Sequence, residues 1–260
     1  MKRFPLILLL SAMTCLVSCQ KEGIPSGGEL GGYGYFEIAL SGDDIFIETK
    51  ASVPVTGEML SKMKFTVSGT TSEGVVVENL PVQVDYAEGK GTGMFQAGDY
   101  TITATLVPSM SDGEAGEIAY CGTSGQFTIS AGEVTDGISI NMTPANSRVR
   151  VIFDNSLFEF YSGPVVNFTS PRNVSVTSSG TQVYFPAGTA SYSISAAALA
   201  NSGSQSFTTS SHSLNLSAGN EYTITVKAIP GGDIIFTTTS GGTPAGNPTS
   251  DSELWNGLFS

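Results

Sequence analysis

The chain has 260 residues, with 11 basic against 23 acidic side chains and a net charge of −12. Only 13% of its residues are charged and 40% are hydrophobic, a balance that excludes a disordered acidic chain and a long-helix or coiled-coil protein. A pI near 4.3 excludes nucleic acid as a partner, because phosphate binding needs clustered Lys and Arg.

The first element is an address. Lys2 and Arg3 form a short positive region, Phe4 to Leu10 an apolar one, and Leu16-Val17-Ser18-Cys19 the pattern of a bacterial lipobox with Cys19 as lipid acceptor. The apolar run is too short for a spanning helix. An ordinary cleaved signal peptide with an incidental Cys19 is the alternative. Cys15 is the weaker acceptor, since Ala12-Met13-Thr14 does not start with an aliphatic residue. Residues 1–18 are therefore read as a lipoprotein signal peptide. Its removal takes away Lys2 and Arg3, so the mature chain carries 9 basic and 23 acidic residues, a net of −14. Acylation of both the thiol and the new amine anchors such a chain stably, whereas one acyl chain binds only marginally. Gln20-Lys21-Glu22 resembles the short signal that sends some Bacteroidetes lipoproteins to the outer face of the outer membrane, and otherwise reads as a polar spacer. Residues 19–32 are Gly-rich and read as a flexible tether with a reach of about 20 Å.

From Tyr33 the signal is period two. Tyr33, Tyr35, Glu37 and Ala39 face one way, and Phe36, Ile38 and Leu40 the other. Similar runs follow at Ile45–Glu48, Phe65–Ser68, Val75–Glu78, Tyr100–Val107, Phe127–Ser130 and Ile138–Met142. After Pro144-Ala145-Asn146 they resume at Val149–Phe153, Val165–Thr169, Val174–Thr177, Val183–Phe185, Tyr192–Ser195, Ser206–Thr209, Leu214–Leu216, Tyr222–Ala228 and Ile234–Thr238. β-branched residues fill the runs, and Gly, Pro, Asn and Asp separate them. Only Glu58–Lys64 and Ala196–Ala200 have helical character. Many short strands at this spacing predict an all-β fold of two tandem β-sandwich domains, residues 33–143 and 144–239, with immunoglobulin-like or transthyretin-like Greek-key connectivity. Without a long linker, the two domains are expected to stack closely.

One local motif recurs: Ala97-Gly98-Asp99-Tyr100, Ala218-Gly219-Asn220-Glu221-Tyr222, and more loosely Ala187-Gly188 before Tyr192. Gly takes the positive-φ turn position and Tyr starts an inward-facing strand, so the motif is structural. The C-terminal tail, residues 240–260, changes character. It is turn-rich, then gathers Leu254, Trp255, Leu258 and Phe259. Such a cluster either docks on its own domain or serves as a partner-binding hook that adds a strand to another sheet.

Chemistry-bearing residues are few. Cys121 is the one cysteine left beside the acylated Cys19, in an alternating run that predicts a small buried hydrophobe. His212 is the single histidine and lies in a Ser-rich stretch, which predicts a solvated side chain. One histidine and one thiol do not suffice for a zinc site, and no metal or other cofactor is expected. Asp43 and Asp44 are adjacent and point to opposite faces of a strand. Asp112, Glu114 and Glu117 lie in a Gly-rich loop without EF-hand spacing and read as a solvated acidic loop. No nucleophile elbow, metalloprotease motif or phosphate loop is present, so no enzymatic activity is predicted.

The lipobox, Gly32-Tyr33-Gly34-Tyr35-Phe36, Thr49-Lys50-Ala51, the Phe95–Thr103 stretch, Gly125–Glu133 and Asn146-Ser147-Arg148-Val149-Arg150-Val151 together resemble Bacteroidetes lipoproteins carrying domain of unknown function 4493, over about residues 30–229. The resemblance implies a surface or outer-membrane lipoprotein of tandem β-sandwiches, similar in architecture to fimbrillin-type pilins and their lipid-anchored base subunits. The expected function is a non-catalytic, lipid-anchored, adhesin-like or pilus-associated module of the outer membrane and cell surface. It would touch the membrane through its lipid and pilin-like proteins through its body. The alternative is a glycan-binding accessory lipoprotein that uses Tyr161, Tyr184 or Trp255.

Overall fold

The computed structural model describes residues 32–42, 57–87, 90–241 and 250–255. Before Pro144 the chain forms β1 (Tyr33–Gly42), the short helix α1 (Gly57–Lys62), β2 (Lys64–Thr71), β3 (Val76–Val82), β4 (Val84–Ala87), β5 (Lys90–Gln96), β6 (Gly98–Leu106), β7 (Tyr120–Thr123), β8 (Phe127–Ile129) and β9 (Val134–Pro144). One residue, Ala145, separates β9 from β10 (Asn146–Phe153). A 3-10 turn (Asn155–Glu159), β11 (Tyr161–Ser170), β12 (Val174–Val176), β13 (Gln182–Pro186) and β14 (Gly188–Ala198) follow. The chain then forms β15 (Phe207–Thr208), β16 (His212–Leu216), β17 (Glu221–Ala228), β18 (Ile234–Gly241) and β19 (Ser250–Trp255).

The fold is all-β because the apolar residues alternate. In β6 the threonines Thr101, Thr103 and Thr105 face outward, while Tyr100, Ile102, Ala104 and Leu106 are buried. In β1 Phe36 and Ile38 point inward, as their spacing requires. The expected Glu58–Lys64 helix is present as α1. The expected Ala196–Ala200 helix is not. Ala196 and Ala198 belong to β14, where Ala196 pairs with Phe207 and Ala198 with Tyr161. Cross-strand pairing outweighs alanine's helical preference over so short a run. The expected strand Ile45–Glu48 lies outside the described residues.

Strand order shows what alternation alone does not. The strands before Pro144 and those after Ala145 use the same set of pairings. β1 pairs antiparallel with β5 and parallel with β9; β10 pairs antiparallel with β13 and parallel with β17. β2 lies between β3 and β6, as β11 lies between β12 and β14. β6 takes both β7 and β8, as β14 takes both β15 and β16. Even the helical turn after the first strand recurs. The sets differ at their margins. β4 is added on β5 in the first, a short β7–β9 pairing joins its strands into one nine-stranded sheet, and the β18–β19 hairpin is added on β17 in the second.

The buried apolar residues form two clusters with no shared member. One is built on Phe36, Ile38, Tyr100, Ile102 and Ile140, the other on Val151, Phe168, Phe185, Ile194 and Ile224. Burying one such side chain contributes roughly 1.5–3 kcal/mol.

Candidate interaction surfaces

Cys19, Leu258, Phe259, Asp43 and Asp44 lie outside the described residues. Leu254 and Trp255 are on β19, where they pair with Ile235 and Ile234 of β18. The tail is thus an added strand over Ser250–Trp255, and among the described residues β19 forms one rim of its sheet.

The chemistry-bearing side chains are dispersed. Among the described residues no three His, Cys, Asp or Glu side chains gather to hold a metal, and no helix is long and apolar enough to cross a membrane. Cys121 is half-buried, not buried as expected. Tyr120 and Gly122 take the inward positions of β7, so alternation turns the thiol outward. His212 is not the solvated side chain expected. It is half-buried at the start of β16, with its ring 4.6 Å from Phe236 and 5.6 Å from Tyr192. The tyrosines of the repeated turn motif are core residues. Tyr222 Oη accepts from the Ser217 N–H (2.9 Å), and Tyr100 Oη donates to the Ala97 carbonyl (3.4 Å). Gly98 has φ +154°, and a Cβ there would meet the Thr70 carbonyl oxygen at 2.3 Å.

The loop expected to be solvated does expose Asp112, Glu114 and Glu117, and its backbone is also held down. Val107–Ala119 leaves β6 and runs along β13 as a strap. The Arg172 guanidinium, in a residue only 8% exposed, donates from Nη1 to the Ser111 carbonyl (2.9 Å) and to the Glu114 carbonyl, and from Nη2 to the carbonyls of Ala115 (2.9 Å) and Tyr184 (2.7 Å). It lies 5.1 Å from the centre of the Phe185 ring. Asn173 donates from its backbone N–H and from Nδ2 to the Asp112 carboxylate (2.9 and 3.2 Å). Those two bonds hold the exposed Asp112 carboxyl below the usual carboxylate range. At the other end Asn146, 1% exposed, donates to the Glu117 carbonyl (2.9 Å) and accepts from the Ala119 N–H (3.1 Å). The loop's acidic character is real, but its carbonyls decide its position. Neither Arg172 nor Asn146 carries a local signal in the sequence, since their partners on the strap are 27 to 61 residues away.

Two further features fall on resembling motifs. In Asn146–Val151, Arg148 is 7% exposed and its Nη2 donates to Glu221, which also accepts from Arg150 Nη2 (3.2 Å). In the Gly32–Phe36 motif, Tyr35 pairs with Met94 on β5 and with Val134 on β9. These residues share the outer face of the sheet with Tyr33. At 37%, 46% and 39% exposure, Tyr33, Met94 and Val134 make an apolar stripe across three strands. The stripe is bordered by the Lys90–Glu37 ion pair (3.0 Å). Of the aromatics expected to form a glycan platform, Tyr161 is unavailable. It is 5% exposed, and its hydroxyl donates to the Gly232 carbonyl (2.7 Å). Tyr184 is half-buried.

The family model for the domain of unknown function DUF4493 matches residues 32–243, from the turn before β1 to just past β18. The chain belongs to the DUF4493 family. No curated protein matches this DUF4493 chain. Among solved structures it is similar to a fimbrial assembly protein from Parabacteroides distasonis, at 9% identity and a TM-score of 0.40, covering 84% of this chain and 99% of that one. It is also similar to the fimbrial anchor protein Mfa2 from Porphyromonas gingivalis, at 11% identity and a TM-score of 0.37, covering 80% of this chain and 97% of that one.

Proposed function

We propose that this DUF4493 protein is a non-catalytic, lipid-anchored protein of the outer membrane that presents an all-β body at the cell surface as an adhesin-like or pilus-associated module. The observation that carries the reading is Leu16-Val17-Ser18-Cys19 followed by a Gly-rich tether and, from Tyr33, the DUF4493 body. The lipid holds the protein while a mature charge of −14 keeps the body off an anionic leaflet. The body comprises two sandwich domains, 33–143 and 144–239, a division supported by the two separate core clusters. Pilin-like partners meet it at the tail, where β19 leaves one strand edge at the sheet rim and Leu254, Trp255, Leu258 and Phe259 supply apolar contact. Mass spectrometry of the membrane-extracted protein is expected to find an acylated N-terminal Cys19, and Cys19→Ala to move the protein into the soluble fraction. An unmodified Cys19 in membrane-bound protein would sink the reading. Pull-down from intact cells is expected to recover a filament or pilin-like protein; an inert monomer counts against partner binding.

One observation favours the glycan-binding alternative, the exposed Tyr33–Met94–Val134 stripe with Tyr35, since flat aromatic faces stack on sugar rings. A glycan array should then show binding that is lost in Tyr33→Ala. An array without hits retires it.

A further inference from the structure

The two strand sets share their pairings, so each rim in one has a counterpart in the other. β13 stands where β5 stands: each is the antiparallel neighbour of the first strand of its set. β5 is covered on its far side by β4. Among the described residues β13 is the last strand of its sheet, and no strand covers it. The strap lies there instead. Both backbone groups of Tyr184, the central residue of β13, are engaged on that side: its N–H donates to the Ala115 carbonyl (2.9 Å), and its carbonyl accepts from Arg172 Nη2 (2.7 Å). An open strand edge pairs readily with another strand, and proteins guard such edges with charge, Pro or a cover. Among the rim strands, β3, β4 and β19 carry Glu78 and Pro81, Asp85, and Asp251 and Glu253, and β12 and β15 are only three and two residues long. β13 reads Gln182-Val183-Tyr184-Phe185-Pro186; it has five residues, no charge, and its one proline at the end.

We propose that Val107–Ala119 is an edge cap: latched over β13 by Arg172, it keeps β13 from pairing antiparallel with β13 of a second copy of the chain. The latch suits the task because one planar guanidinium joins the cap to the edge it covers, reaching three strap carbonyls and one on β13. Asp112 and Asn173 form an outer, exposed grip on the same strap. The occupant is a second copy because the uncovered edge is uncharged and self-complementary, and a two-fold pairing meets it with the same patch. The strap contains Glu114 and Glu117, so a glutamate-specific protease reports its release.

The test uses the full chain with Cys19→Ala, to remove the lipid acceptor, alone and with Arg172→Ala. At dilutions where the protein is monomeric, the substitution is expected to raise hydrogen exchange at the Tyr184 amide and cleavage after Glu114 and Glu117 by about tenfold or more. It is also expected to produce a concentration-dependent dimer in light scattering. Adding Tyr184→Glu, which sets like charges opposite one another where two β13 strands cross at their central residue, is expected to restore the monomer. A released strap with a persistently monomeric protein overturns the edge-cap role, as does a dimer that Tyr184→Glu leaves intact. Unchanged exchange at Tyr184 overturns the latch. If Arg172→Ala does not fold, Asp112→Ala tests the latch at an exposed contact. It is expected to raise exchange in the strap two- to threefold, and no rise overturns the proposal.

Discussion

At the scale of single residues, buried charge is the clearest determinant. Arg148 is almost fully buried and depends on Glu221, which also reaches Arg150. Taking one partner from a buried pair leaves an uncompensated charge, at a cost of about 3–5 kcal/mol. Glu221→Gln is therefore expected to lower the unfolding free energy by about 3 kcal/mol in chemical denaturation, and a loss below about 1 kcal/mol would show that the pair is solvated. Asp112 behaves differently because it is exposed. Its folded pKa is depressed by the two bonds from Asn173. Its contribution is therefore complete above the ordinary aspartate pKa of ~3.9 and is lost as pH falls through the lower folded value. The Asn173 amide resonance should titrate in that acidic window and stop titrating in Asp112→Asn; a flat profile in the parent protein would remove Asp112 from the grip.

At the scale of elements, hairpins and rims matter most. β18 pairs with β17 over eight residues, and β19 extends the same sheet over six more. A chain ending at Gly241 keeps β18 and loses the six β18–β19 pairs. It is expected to melt at a lower temperature, by about 2–4 °C for each kcal/mol that β19 contributes in a protein of this size. An unchanged melting temperature together with lost partner capture would assign the tail to partner binding alone. The strap and β4 show how one topological position is filled in two ways. In the first set a four-residue strand covers β5, and in the second an irregular loop tied by side chains covers β13.

At the scale of the whole molecule, the two core clusters share no residue. Substitutions in separate clusters act on separate packing and should add. Ile140→Val and Ile224→Val, at fully buried positions, are each expected to cost about 0.5–1.5 kcal/mol. The double variant should equal their sum within about 0.5 kcal/mol. A larger coupling would mean that one core senses the other. Polar contacts join the two strand sets: Asn146 at the junction, and Arg172, Asn173 and the Tyr184 N–H at the strap.

Fold class, most strand positions and the structural role of the repeated tyrosines are legible in the amino-acid order. Alternation is a local property, and a pleated strand exposes it every second residue. The sequence also marked Cys19 and the tail as the residues to test, from short contiguous patterns. It misplaced Ala196–Ala200, because alanine has no branching to declare a strand and only the partners Phe207 and Tyr161 settle its state. Cys121 and His212 were misjudged for a similar reason: which way a short strand faces depends on the sheet it joins. The parallel β1–β9 and β10–β17 pairs, the matching of the two strand sets and the capture of the strap by Arg172 were decided by tertiary structure alone. Each joins residues dozens of positions apart, and a single sequence carries no physical trace of which distant edge a strand will meet.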